Sequence, residues 1–152
     1  MARIIYVEDD DIVGDVIKQC LAETGHTVGV IDHGTLACET IVFKKPDLIL
    51  LDCSLPGMSG VDILRRVRAI PEIYLTPIMM LTAAADQASI DAAMEAGANA
   101  YLVKPVDLAT LVDRVNTVLA TTLYRSKVSE RVSRVGEPPA IPTLADAKVQ
   151  SA

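Results

Sequence analysis

Asp52 stands where four large apolar residues, Leu48-Ile49-Leu50-Leu51, break into the loop Cys53-Ser54-Leu55-Pro56-Gly57-Met58-Ser59-Gly60. A run of that kind is a strand buried on both faces, as in a parallel sheet, so the carboxylate is delivered at the strand's carboxyl end. Alone, such an Asp more often caps its loop or the next helix. Three other strand-like runs also end on reactive groups. Ile4-Ile5-Tyr6-Val7 runs into Glu8-Asp9-Asp10-Asp11, Pro77 to Thr82 ends on a hydroxyl, and Ala100-Tyr101-Leu102-Val103 ends on Lys104-Pro105. Clustered carboxylates with no thiol or imidazole beside them make a hard oxygen site, suited to Mg2+ or Mn2+ rather than zinc. Such a cation would let Glu8, Asp9 and Asp52 tolerate one another and keep Asp52 ionised. An ionised Asp is the nucleophile of aspartyl-phosphate chemistry. Phosphoryl transfer needs the charge on the equatorial oxygens neutralised, and the metal, the Lys104 ammonium and the Thr82 hydroxyl can each take one.

The elements that must position these groups follow from periodicity. Val13, Val16, Ile17, Cys20 and Leu21 make a helix that Gly25 closes, with Asp10 and Asp11 in the first turn where the macrodipole favours acids. Thr27 to Ile31 reads as a second strand and Thr35 to Lys44 as a second helix, ended by Lys45-Pro46. Val61, Leu64 and Val67 give a third helix that carries Arg65, Arg66 and Arg68 outward. Ile90, Ala93, Met94 and Gly97 share one face of a fourth, and Leu108 to Leu119 form the fifth, with Asp107 as its N-cap. Five strands alternating with five helices predict a doubly wound α/β domain with a parallel sheet. Right-handed crossovers then bring Glu8, Asp9, Asp52, Thr82 and Lys104 to a single rim.

Composition narrows the alternatives. The chain has 152 residues, 51% of them hydrophobic, and no apolar run long enough to span a membrane. Met1-Ala2-Arg3-Ile4 enters a strand directly, without a signal-peptide pattern, so a cytoplasmic protein is expected. Three cysteines without a CxxC pair support neither a disulfide framework nor a zinc site, and are read as small core or incidental residues. Residues 1–124 carry nine Lys/Arg against seventeen Asp/Glu, which argues against nonspecific binding to nucleic acid. His26 and His33 lie before and after the second strand, and both are read as surface residues.

Taken together, Glu8-Asp9, the pattern Asp52-x-x-Leu55-Pro56-x-x-x-Gly60, Thr82-Ala83, Tyr101 and Lys104-Pro105 resemble the receiver domain of two-component response regulators, of the single-domain, chemotaxis-regulator-like type. The match runs from residue 3 to about 121. The resemblance implies a flavodoxin-like (βα)5 sheet with strand order 2-1-3-4-5. It implies that Asp52 accepts a phosphoryl group from a phosphohistidine on a sensor histidine kinase or a histidine phosphotransfer protein. Metal ligands would be Asp9, Asp52, the Ser54 carbonyl and, through water, Glu8. Lys104 would pair with Asp52 and then with the phosphoryl group, Thr82 would bind the phosphoryl oxygens, and Tyr101 would turn inward. The face of the fourth helix, fifth strand and fifth helix would then change for a downstream protein target. Glu8 stands where Asp is commoner in that family.

The domain is expected over residues 1–123. A C-terminal extension over 124–152 would hold a short helix at 126–135, with Val128, Val132 and Val135 as a docking stripe, and a Pro-rich tail. With no helix-turn-helix in these residues, no direct contact with DNA is expected, nor with a membrane, while a homodimer through the switching face or the extension is allowed for. The competing reading is a Mg2+-dependent phosphohydrolase with an Asp nucleophile. Enzymes resembling the haloacid dehalogenase family place a second Asp two residues after the nucleophile, where this chain has Ser54. A flavodoxin-like cofactor binder would want a Gly/Ser/Thr-rich phosphate loop where Glu8 to Asp11 stand.

Overall fold

The computed structural model describes the backbone of residues 1–135 and the side chains of residues 1–122. The side chains of the extension's valine stripe, and the whole segment from 136 onward, lie outside the described residues. In chain order the elements are β1 (Arg3–Val7), α1 (Asp11–Glu23), β2 (Thr27–Ile31), α2 (Gly34–Lys44), β3 (Leu48–Leu51), α3 (Gly60–Ala69), β4 (Ile78–Thr82), α4 (Gln87–Ala96), β5 (Ala100–Val103) and α5 (Leu108–Val135). The chain divides into two units, Met1–Leu119 and Ala120–Ala152, and the sheet lies in the first.

The five strands are all parallel, in the order β2-β1-β3-β4-β5. The expected architecture and strand order are therefore observed. Apolar runs at β3 and β4 form central strands because every residue in them meets a protein face. Leu48 through Leu51 and Ile78 through Leu81 are wholly buried. Alternation along the strands splits the core into two layers. Ile5, Val7, Ile49, Leu51, Ile78 and Met80 pack on Ala37 and Ile41 of α2, Ile63, Leu64 and Val67 of α3, and Ala93 of α4. Ile4, Tyr6, Leu48, Leu50, Met79 and Leu81 pack on Ile17 and Leu21 of α1 and on Leu111 and Val115 of α5. Each fully buried aliphatic side chain contributes roughly 1.5–3 kcal/mol, so the two layers fix the register firmly.

Short polar side chains start α1, α3, α4 and α5, whereas His33 ahead of α2 makes no capping bond. Asp10 caps α1 by accepting from the amides of Ile12 and Val13, and Asp11 lies in the first turn, as the sequence suggests. Ser59 caps α3, Asp86 caps α4, and Asp107 accepts from the Thr110 amide at the start of α5. Gly97 ends α4 at φ 108°, a left-handed conformation that glycine tolerates best.

Two expectations from the sequence are corrected. His26 is more than a surface residue, since its Nδ1 accepts from the Ala2 amide at 3.1 Å and its Nε2 meets Asn116 Oδ1 at 3.3 Å. Arg68 does not point outward. Its Nε and Nη2 donate to the Gly97 carbonyl at 3.0 and 2.9 Å, and Nη1 donates to the carbonyls of Tyr74 and Thr76 at 2.9 and 2.6 Å. A further bond reaches Asn99 Oδ1 at 2.9 Å. One guanidinium thus ties α3 to the turn before β4 and to the end of α4, a task for which its five fixed donors are suited. The sequence pattern turns Arg68 outward with Arg65 and Arg66, because a local pattern does not show the carbonyls that other elements bring to it. Arg68→Ala is expected to cost about 2–4 kcal/mol in urea unfolding at unchanged m value, with Arg68→Lys recovering less than half.

Candidate functional site

Parallel register brings the strand ends level. Val7 pairs with Leu51, Leu51 with Met80, and Thr82 with Val103. The backbone ladder continues one step past the strands, with the Asp52 amide donating to the Val7 carbonyl, the Glu8 amide to the Ile31 carbonyl and the Lys104 amide to the Thr82 carbonyl. Residues far apart in sequence are thereby fixed at one rim by backbone bonds before any side chain acts.

Their side chains then sort by strand face. Glu8 continues the Ile4/Tyr6 face, Asp52 the Leu48/Leu50 face, and Lys104 follows Leu102, all toward α1 and α5. Lys104 Nζ forms an ion pair with Glu8 Oε1 and a second with Asp52 Oδ2 at 3.1 Å. Asp9 joins them: carboxylate oxygens of Glu8, Asp9 and Asp52 lie within 4.8 Å of one another. Glu8 and Asp52 are buried, whereas Asp9 is exposed and marks the open side. Ser54 lies two residues along the loop, and its amide donates to Asp52 Oδ1 at 3.2 Å. Asp52 thus also bonds its own loop, as strand-end Asp residues commonly do, and the two roles coexist.

Thr82 and Tyr101 belong to the opposite face, toward α2, α3 and α4. Thr82 is 2% exposed, and its Oγ1 accepts from the Ala84 amide at 3.3 Å. Tyr101 donates its hydroxyl to the Ala84 carbonyl at 2.7 Å, with Cys53 Sγ at 3.8 Å. Ala84 and Cys53 have no sequence signal that marks them. Cys53 is recognisable only because the fold brings the Tyr101 hydroxyl of β5 to the loop that follows β3.

Charge in this pocket is unevenly shared. Burial, followed by the neighbouring Asp52, raises the Glu8 carboxyl to about 7, against a smaller lowering by Lys104. Burial alone would raise Asp52 too, but hydrogen bonds from Glu8, Thr82 and Lys104 and the Lys104 charge together hold it below the usual carboxylate range. Burial disfavours the Lys104 ammonium, yet Glu8 and Asp52 outweigh it and raise its pKa. Of the two, Glu8 therefore takes up a proton more readily and Asp52 is the one held ionised.

The residues fit a divalent cation. The donor set is all oxygen, three carboxylates face a single ammonium, and Glu8 Oε2 is buried without a hydrogen-bond partner. The acidic cluster is thus compatible with Mg2+.

Comparison with known proteins agrees with this geometry. The family model described as the response regulator receiver domain matches residues 4–116. The transcriptional regulatory protein CseB of Streptomyces coelicolor is 37% identical over 117 residues, covering 77% of this chain and 49% of that protein. The BeF3-activated N-terminal receiver domain of Klebsiella pneumoniae RstA superposes with a TM-score of 0.72 at 35% identity, covering 77% of this chain and 97% of that one. The receiver domain of a Pseudomonas aeruginosa sensor histidine kinase, solved with a magnesium ion coordinated in its active site cleft, gives 0.73 at 32% identity, covering 78% and 98%. The chain spans about half the length of the curated relatives it matches. Because those relatives are named as transcriptional regulators, the expectation of no direct DNA contact is not carried forward. Among the described residues, no helix is long and apolar enough to cross a membrane.

A pH dependence follows from Glu8. Unfolded, it titrates near 4.5; folded and metal-free, near 7, so the folded state holds the proton more tightly in between. The contribution of Glu8 to stability is therefore full below pH 4.5 and lost as pH rises through 7, by up to about 3 kcal/mol. Asp52 contributes with the opposite sign, at lower pH. Urea unfolding in EDTA across this range should show the decline, and Glu8→Gln should flatten it.

Proposed function

The chain belongs to the response regulator receiver family of two-component signalling, and from that premise we propose that Asp52 is the phosphoacceptor of a switch fed by a phosphohistidine donor. The observation that carries this reading is Lys104 reaching both Glu8 and Asp52 while Asp9 completes the carboxylate cluster on the open side. A carboxylate oxygen of Asp52 attacks phosphorus. The O–P bond forms as the P–N bond of the donor imidazole breaks, and the departing ring nitrogen takes up a proton. Asp52 is suited to the attack because its neighbours keep it ionised at neutral pH.

Glu8, Asp9, Asp52 and the Ser54 carbonyl would hold Mg2+ or Mn2+, which supplies charge neutralisation to the phosphoryl oxygens. Lys104 exchanges its pairing with Asp52 for one with the new phosphoryl group. Thr82 turns its hydroxyl from Ala84 toward that group, and Tyr101, already bonded to the Ala84 carbonyl, follows the loop. The change is read on the face of α4, β5 and α5, where Met94, Val103 and Leu108 are 45%, 38% and 40% exposed. Apolar side chains standing clear of the core there suit a protein target or a second copy of the chain. The phosphoryl donor is a sensor histidine kinase or a histidine phosphotransfer protein, and the activity is self-phosphorylation and dephosphorylation rather than turnover of a free substrate.

Incubation with acetyl phosphate tests this. Intact and peptide mass should show one added phosphoryl group on Asp52 with Mg2+, none in EDTA and none in Asp52→Asn. Steady release of phosphate from many phosphomonoesters without an adduct would overturn the reading in favour of a phosphohydrolase.

A further inference from the structure

Tyr6 is wholly buried, yet its hydroxyl has no hydrogen-bond partner. Cores rarely bury an O–H in this way, since the group loses water and gains nothing. Tyr6 lies on β1, paired with Val30 of β2 and Leu50 of β3, and its ring packs in the layer facing α1 and α5. Glu8 lies two residues on and leaves the backbone on the same face. Its side chain is 1% exposed; Oε1 is taken by Lys104, and Oε2 is the other buried polar atom left without a partner. A donor lacking an acceptor and an acceptor lacking a donor are thus buried two residues apart on one face of β1, below the carboxylate cluster. Burial first, then the charges of Glu8 and Asp52, keep the phenol protonated and so available as a donor.

We propose that Tyr6 is a positioning residue for the cation site, its hydroxyl donating to Glu8 Oε2 so that Glu8 is held from one side by Lys104 and from the other by Tyr6. This rests on the cation-binding reading above. Packing needs only the ring, which Phe would supply equally well; the hydroxyl is the part left for Glu8. A carboxylate oxygen accepts more than one bond, so the contact orients Glu8 without closing it to the cation's shell. Groups that orient metal-binding carboxylates commonly change metal affinity by an order of magnitude or more.

Tyr6→Phe in the full chain tests the assignment, using calorimetric Mg2+ titration and thermal unfolding in EDTA. Mg2+ affinity should fall about tenfold. The Mg2+ concentration for half-maximal phosphorylation by acetyl phosphate should rise by the same factor, with the rate at saturating Mg2+ unchanged. In EDTA the variant should melt lower than the parent, because a bond is lost. In a Glu8→Ala background, which removes the acceptor, Tyr6→Phe should leave Mg2+ affinity within twofold. Unchanged affinity in the single variant, an equal loss in the Glu8→Ala background, or a higher melting temperature in EDTA overturns the assignment. A parent chain that binds no Mg2+ overturns the cation reading along with it, which separates the two failures.

Discussion

Two buried carboxylates sharing one ammonium is the constraint around which the sheet edge is arranged. Glu8 and Asp52 would repel each other strongly in a region of low dielectric, and Lys104 is the group that makes their closeness tolerable. Because Lys104 sits two strands away from Asp52, the arrangement exists only while β3, β4 and β5 hold their register. The offset remains incomplete, since with Asp9 three acidic groups face one cation. Glu8 answers by holding a proton more tightly, and a divalent ion would supply the missing charge.

Alternation along the strands divides the rim into two halves with different physics. Toward α1 and α5 the groups are ionic: Glu8, Asp52 and Lys104. Toward α2, α3 and α4 they are neutral: Thr82, Tyr101, Cys53 and the Ala84 backbone. The first half can hold charge, and the second can move without moving charge. Tyr101 donates to the Ala84 carbonyl, and the Ala84 amide donates to Thr82 Oγ1, so the two hydroxyls are joined through a single backbone residue.

The loop bearing Asp52 is braced from outside. The Gly60 amide donates to the Cys53 carbonyl at 3.0 Å, and any side chain at Gly60 would run into the Asp52 carbonyl. Gly34, at the start of α2, donates to the Pro56 carbonyl at 2.9 Å, and a Cβ there would meet the Met58 backbone. His33 lays its ring over Gly57. The Asp52 carboxylate therefore hangs from a segment clamped by two helix starts, a placement that depends on backbone approaching backbone.

Much of this was legible in the chain alone, and the reason is periodicity. Four consecutive large apolar residues before Asp52 and near-continuous ones before Thr82 specify doubly buried strands, and such strands specify a parallel sheet. From there the handedness of crossovers puts Glu8, Asp9, Asp52, Thr82 and Lys104 on one edge. What tertiary structure alone decided are the partnerships between atoms that no local pattern relates. Arg68 turns inward because the carbonyls of Tyr74, Thr76 and Gly97 come together only when α3 and α4 pack. His26 is engaged because α5 passes beside β1. The unequal sharing of a proton between Glu8 and Asp52 arises from how deeply each is buried and what it touches, and burial is a property of the folded assembly rather than of any residue's place in the chain.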